Sequence, residues 1–303
     1  MKPLIYPFPG NERVGETLAA ALDAETGAIE VRRFPDGETY VRLHTPPVGR
    51  DVALVCTLDQ PDAKSLALYF AAATARELGA VRVGLVAPYL GYMRQDARFQ
   101  PGEAVSSLLY GRWLSQFVDW LVTVDPHLHR HASMREVYSI PAAVAPAAPA
   151  ISRWVAAHVP QALLIGPDGE SAQWVAEVAA GAGCPFAVAS KQRRGDFDVR
   201  VALPDVSAWR ERTPVLIDDI VSTARTMIAA IQQLRAAGVS RAPTCIGVHA
   251  LFAGDAYAAL QAAGAAAVAT CNTVVHASNA IDVAPELAVA VRELLQREVS
   301  APR

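Results

Sequence analysis

The order of short apolar runs and amphipathic stretches in the first half of this 303-residue chain returns in the second. The stretch "DVALVCTLDQPDAKSLALYFAAATARELG" is echoed by "TPVLIDDIVSTARTMIAAIQQLRAAG", with Leu54 matching Leu216 at an offset of 162 and Gly79 matching Gly238 at 159. "FPDGETYVRL" is echoed by "QRRGDFDVRV", with Gly37 on Gly195 and Arg42 on Arg200, both at an offset of 158. A nearly constant offset over several elements restricts the chain to two similarly folded domains in tandem. Within each, buried-strand runs such as "DVALVCTL", "VRVGLVAPY" and "WLVTVD" alternate with helical patterns. Strand, helix, strand in succession means α/β architecture, a mainly parallel sheet flanked by helices.

The Ala/Pro-rich "PAAVAPAAPA" at residues 141–150 marks the boundary. It gives an N-terminal domain over 1–145 and a C-terminal domain over 146–303. The last helical pattern, "PELAVAVRELLQREV", is a candidate to pack on the first domain. A hydrophobic share of 52% provides two cores, and a net charge of −3 gives no general attraction to nucleic acid or to an anionic membrane. Any anion site must therefore be local. Four scattered cysteines without a C-x-x-C pair read as free thiols in a reducing compartment. No signal peptide or membrane-length apolar run is evident, so the protein is expected in the cytoplasm.

The most informative local stretch is "TPVLIDDIVSTARTMIAA", Thr213 to Ala230. An apolar strand runs into Asp218 and Asp219, and hydroxyl residues then enter a helix. In a parallel α/β sheet, ligands bind at the carboxyl ends of strands, and the first free amides of a helix favour an anion. Ser222, Thr223 and Thr226 add hydroxyl donors. Two acids would repel a phosphate, so they must face hydroxyls or a metal nearby. A pentose 5-phosphate, an anion at one end with vicinal hydroxyls at the other, meets both demands. The same acids at a strand end also serve as helix caps. The first-half counterparts are Cys56 and Thr57, which leaves one such site per chain, in the C-terminal domain.

"VLIDDIVSTARTM" resembles the phosphoribosyl-diphosphate-binding motif of the type I phosphoribosyltransferase fold. Further stretches resemble the ribose-phosphate diphosphokinase family of that fold: "FPDGE" at Phe34–Glu38, "YMRQDARFQPGE" at Tyr92–Glu103, "VDPH" at Val124–His127, "GPDGES" at Gly166–Ser171 and "SKQRRGD" at Ser190–Asp196. The likeness covers nearly the whole chain, duplicated domain included.

What it implies stands beside what the residues say alone. Asp-Gly in "RFPDGETYVR" is a hairpin signal; the resemblance implies that Phe34 stacks on adenine and that Asp36 and Glu38 contact the nucleotide, often from a neighbouring subunit of a homo-oligomer. The charged run after "VGLVAPYL" reads as a solvated face; by resemblance Arg94 and Gln95 contact ATP, with Asp96 beside them. His127, His129 and His131 alternate and share one face of a strand, a pattern compatible with zinc, although no Cys or Glu cluster accompanies them. The resemblance instead favours His127 alone as a magnesium and phosphate contact, with His129 and His131 merely exposed. Pro126 departs from the usual Asp-Leu-His-Ala. Three cations before a glycine in "SKQRRGD" read as a hairpin tip; the resemblance makes Lys191 and Arg193 the mobile catalytic pair. Asp168 would help hold the diphosphate and Mg²⁺, and Glu170 stands where the family commonly has glycine, so its side chain must point away or the local geometry differs.

The residues Ser222, Thr223, Ala224, Arg225 and Thr226 are expected to cradle the 5-phosphate. Related turns usually have glycine at position 225. A left-handed non-glycine residue costs about 1–2 kcal/mol, so Arg225 is expected inside the first helical turn with ordinary dihedrals. The implied activity is Mg²⁺-dependent transfer of diphosphate from ATP to ribose 5-phosphate. A phosphoribosyltransferase that consumes phosphoribosyl diphosphate, and a non-catalytic regulatory relative, remain open as alternatives.

Overall fold

The computed structural model describes residues 1–128, 130–167, 169–193, 199–202 and 207–296. The chain divides into two units, Met1–Pro146 together with the chain from Val283, and Ala147–Asp282.

The first unit carries a six-stranded parallel sheet. Its strands are β1 (Leu4–Pro7), β2 (Glu25–Thr26), β5 (Asp51–Val55), β6 (Arg82–Ala87), β7 (Trp120–Val124) and β8 (Ala142–Ala145), in the order β2-β1-β5-β6-β7-β8. A separate antiparallel hairpin pairs β3 (Ile29–Arg33) with β4 (Thr39–Leu43). The β5 and β7 runs are almost wholly apolar, with Asp51 at the start of β5 and Thr123 inside β7 as the exceptions, because both faces of a parallel sheet are covered. Helix α2 (Pro61–Glu77) starts on a proline at its first position and buries a stripe of Ala67, Leu68, Ala71, Ala72 and Ala75 against β5 and β6. Full burial of Leu68 alone stabilises by about 1.5–3 kcal/mol, and small alanines let the helix lie close. The same helix backs β4 of the hairpin. Gly84 on β6 stands opposite Trp120 on β7, and a Cβ there would fall 1.9 Å from the indole ring.

The second unit repeats the plan. Strands β9 (Ala162–Gly166), β10 (Phe186–Val188), β13 (Thr213–Val221), β14 (Thr244–Ala250), β15 (Ala267–Cys271) and β16 (Asn279–Ile281) run in the order β10-β9-β13-β14-β15-β16, and β11 (Ser190–Arg193) pairs with β12 (Val199–Ala202) as the second hairpin. Strand for strand, the two orders are the same, so the duplication read from the offsets is a duplication of topology. Helix α6 (Arg225–Ala236) corresponds to α2 and buries Met227, Ala230, Ile231 and Leu234.

The outer helices show how the second copy ends. In the second unit α4 (Ala148–His158) precedes the sheet and packs on α5 (Ala172–Ala182) and β16. In the first unit the matching place, against α1 (Glu12–Leu22) and β8, is filled by α8 (Ala284–Gln296) from the chain's far end. Arg292 donates to the Ala21 carbonyl (2.7 Å), and Arg82 donates to the Leu295 carbonyl (3.0 Å).

All four cysteines are free, and burial pushes the Cys56 thiol up to about 12, outside the reactive range. No described helix is long and apolar enough to cross a membrane.

Candidate functional site

The strand carrying the two acids does not stop before them. β13 continues through Asp218 and Asp219 to Val221, and beyond Leu216 it is paired only to β14, because its ladder with β9 ends at Leu216–Ile165. The carboxylates therefore stand on a strand that outruns its neighbour on one side. Both are half-buried. Asp218 accepts from the amide of Asp219 (3.0 Å), and Asp219 accepts from the amide of Ile220 (2.7 Å). Adjacent strand residues project to opposite faces. Asp218 shares the face of Leu216, under α6, where it lines a small cleft with Gly166, Pro167 and Thr226.

Past Val221 the chain turns through Ser222 and Thr223 into α6. The amides of Leu251 and Ala253 hold this turn at the carbonyls of Val221 (3.1 Å) and Ser222 (3.0 Å). Arg225 opens the helix, and its φ is not among the positive ones. The left-handed residue is Ala224, one position earlier, at φ 57° and ψ 7°. The glycine argument thus applies to Ala224, which the sequence reading passed over. Ala224, the residue at the cap of α6, makes no side-chain cap hydrogen bond, and the first N–H groups of the helix lie between exposed Thr223 and exposed Arg225. Ala224→Gly should relieve the left-handed strain of about 1–2 kcal/mol against a loss of unfolded-state restriction of about 0.4–1 kcal/mol. Chemical denaturation should show the second unit unchanged or slightly more stable; a fall in stability would contradict the strain.

The equivalent turn of the first unit, after β5, is closed from within. Thr57 donates its amide to Asn11 Oδ1 (3.0 Å), its Oγ1 accepts from the Tyr89 amide (3.2 Å), and its carbonyl accepts from Lys64 Nζ (2.9 Å). Lys64 also pairs with Asp59. The Lys64 ammonium is thus taken up by the Thr57 carbonyl and by Asp59, so its charge is matched within the protein.

The expected nucleotide residues lie in the first unit. Phe34 follows β3 at the hairpin turn, 39% exposed, edge-on to Tyr40 at 5.8 Å, with the Arg32 guanidinium 4.8 Å from its ring. Asp36 accepts from the Glu38 amide (3.2 Å), and Gly37 takes φ 94°. Arg33 donates to the Ala63 carbonyl of α2 (3.2 Å), which ties the hairpin to that helix. One residue earlier on α2, Asp62 accepts from the hydroxyl of Tyr92, which sits at φ 64° in front of Arg94 and Gln95. Asp62 and Tyr92 were not singled out by sequence reasoning, because only the fold brings them together. Arg94 is exposed, Gln95 half-buried and Asp96 buried.

The loop leaving β7 starts with Asp125 at φ 29°, followed by half-buried His127. His131 is not exposed as expected: its side chain is 10% exposed, and Nδ1 lies 3.3 Å from Glu136 Oε2. His129 and Asp168 lie outside the described residues, as does the tip 194–198 of the second hairpin. Lys191 and Arg193 occupy positions i and i+2 of β11, opposite Val201 and Val199. Glu170 falls in a short 3₁₀ turn, Gly169–Ser171. Among the described residues, no group of three or more His, Cys, Asp or Glu is arranged to hold a metal.

Comparison with known proteins bears on the whole arrangement. Residues 4–117 match the N-terminal domain of ribose phosphate pyrophosphokinase, and residues 135–286 match the phosphoribosyl transferase domain. The ribose-phosphate pyrophosphokinase of Methanopyrus kandleri is 33% identical over 285 residues, covering 93% of this chain and 96% of that protein. The protein of the same name from Halobacterium salinarum is 33% identical over 282 residues, covering 91% and 97%, and that of Sulfolobus acidocaldarius 30% identical over 290 residues, covering 94% and 96%. In three dimensions the chain resembles phosphoribosylpyrophosphate synthetase from Mycobacterium smegmatis, with a TM-score of 0.82, 22% identity, and coverage of 97% of this chain and 99% of that one. Two domain matches in chain order, together with relatives alike over nearly their full length, show that the chain belongs to the ribose-phosphate pyrophosphokinase family of diphosphate-transferring enzymes.

Proposed function

We propose that the chain transfers diphosphate from ATP to ribose 5-phosphate, giving 5-phosphoribosyl 1-diphosphate and AMP. The observation that carries this reading is the contrast between the two copies of one turn. In the second unit it is hydroxyl-lined, preceded by two acids, and enters α6 without a side-chain cap from Ala224; in the first, Cys56 and Thr57 stand at the acid positions and Thr57 is tied to Asn11, Tyr89 and Lys64. One sugar-phosphate site per chain follows, leaving the first unit's loops for the nucleotide.

The amides and hydroxyls of Ser222 to Thr226 bind the 5-phosphate, since a helix N-terminus favours an anion. Asp218 and Asp219 accept hydrogen bonds from the sugar hydroxyls. A ligand lying past the end of β9 can be reached by one acid from each face of the overrunning strand. Phe34 stacks on adenine, Asp36 and Glu38 contact the nucleotide, and Arg94 and Gln95 meet its phosphates. The anomeric hydroxyl attacks the β-phosphorus, and AMP leaves. Lys191 and Arg193 meet the negative charge that gathers in that transfer. Mg²⁺ fits this donor set, because it takes most of its ligands from phosphate and water and needs only one or two protein donors; His127 and Asp168 would hold it. When bound, it supplies positive charge that neutralises the phosphate oxygens. The chain acts in the cytoplasm as a homo-oligomer, in which the Phe34 hairpin of one subunit serves the nucleotide of another.

Arg225 supplements the phosphate cradle. Arg225→Gly should raise the KM for ribose 5-phosphate about two- to fivefold, the worth of an exposed charge pair of roughly 0.5–1 kcal/mol. Steady-state kinetics at low salt reads this directly, and an unchanged KM removes Arg225 from the cradle. The reaction itself is tested by mass-resolved products from protein, Mg²⁺, ATP and ribose 5-phosphate. AMP is the expected nucleotide; ADP would contradict diphosphate transfer.

A further inference from the structure

Asp96 is the one expected nucleotide residue whose surroundings do not suit a direct ligand contact. Its side chain is 1% exposed. Oδ1 accepts from Arg130 Nη1 at 2.8 Å, and Oδ2 is buried with no hydrogen-bond partner among the described residues. A buried carboxylate beside a triphosphate would repel it, and a buried ion pair adds little to stability on its own. The partner has the opposite character. Arg130 is 56% exposed, its guanidinium lies 5.3 Å from the Phe99 ring, and it comes from the loop after β7 that also carries His127. Phe99 is itself held: Glu103 Oε2 accepts from the amides of Phe99 (2.8 Å) and Gln100 (3.0 Å) and from Gln95 Nε2 (3.3 Å), while Arg98 Nε donates to the Glu103 carbonyl (3.0 Å).

We infer that Arg130 is a further phosphate-binding residue of the nucleotide site, and that Asp96 is the positioning residue that aims it. The inference rests on the proposed function. A guanidinium is a rigid fork of donors. With one edge fixed by a buried carboxylate and its plane near an aromatic ring, the remaining edge is presented to solvent, preorganised for the paired oxygens of a polyphosphate. The pair also joins the Arg94–Gln95 segment to the His127 loop, so both sets of expected phosphate contacts share one anchor. Lysine cannot reproduce the arrangement, because a single ammonium cannot bind the carboxylate and bridge two phosphate oxygens in fixed geometry.

The test uses the full chain with Arg130→Ala, Arg130→Lys and Asp96→Asn. Equilibrium titration with ATP and with AMP is set beside KM for both substrates and thermal melting. Arg130→Ala should weaken ATP binding about tenfold or more while leaving AMP binding, the KM for ribose 5-phosphate and the melting temperature unchanged. Arg130→Lys should recover part of the loss, and Asp96→Asn should show the same selective pattern with smaller size. Equal loss for ATP and AMP, or loss that tracks a lowered melting temperature, would reduce the pair to a structural contact and overturn the inference. Unchanged ATP binding in Arg130→Ala would overturn it alone. A wild-type protein that binds no ATP would overturn the functional reading beneath it, and the inference with it.

Discussion

Replacing Lys191 by Ala is expected to lower kcat by about 100- to 1,000-fold, the cost of removing one positioned donor from a site of developing charge, with little change in the Kd for ATP. The reason is where the charge appears. On the proposed mechanism, ground-state ATP is already met by the first unit's exposed Arg94 and by magnesium. As the β-phosphorus is attacked, charge spreads over its equatorial oxygens and the leaving AMP, and only a group that arrives there stabilises the transition state more than the substrate. Lys191 lies on the second unit's hairpin, β11–β12, which stands apart from the six-stranded sheet. A hairpin outside the main sheet suits a group that must admit two substrates before closing over them. Rapid-quench turnover and equilibrium ATP titration separate the two effects. If Kd rises in proportion while kcat holds, Lys191 is a binding residue only.

The second large effect concerns the acids. Asp218→Asn and Asp219→Asn should each lower kcat/KM for ribose 5-phosphate by about 10- to 150-fold, the worth of a hydrogen bond to a charged group at roughly 1.5–3 kcal/mol. KM for ATP should barely move. A sugar lacking one vicinal hydroxyl gives a sharper comparison. Wild-type protein should discriminate against 2-deoxyribose 5-phosphate, and the variant that has lost the matching carboxylate should discriminate much less. If both variants keep the wild-type preference, the carboxylates do not hold the diol and act on the backbone amides they already accept from.

The duplicated α/β plan and the two hairpins could be read from the sequence because each depends on local pattern. Apolar runs such as "DVALV" need two covered faces, and the alanine stripe of α2 follows from helical period alone. The acids and the hydroxyl turn were readable for the same reason. What could not be read depends on contacts distant in sequence. The continuation of β13 through both acids is set by its ladder to β14 at Gly247, His249 and Ala250. The last helix is legible only as a candidate to pack on the first domain, because its docking is decided by α1 and β8, which its own periodicity does not name. Arg225 opens α6 with ordinary dihedrals, as its size demands, but nothing in the sequence marks the left-handed conformation as falling one residue earlier, on Ala224. The Tyr92–Asp62 and Arg130–Asp96 pairs, spanning 30 and 34 residues, leave no local signature. The nearer His131–Glu136 pair, five residues apart, matches no strand or helix period and so leaves no pattern either.

The most direct measurement is a crystal structure of the protein with ribose 5-phosphate bound. The 5-phosphate is expected on the amides of residues 222–226 of the second unit, with the vicinal hydroxyls within hydrogen-bonding distance of Asp218 and Asp219. The sugar seated at the Thr57–Lys64 turn of the first unit, or excluded while both acids fold back on the backbone, would contradict it.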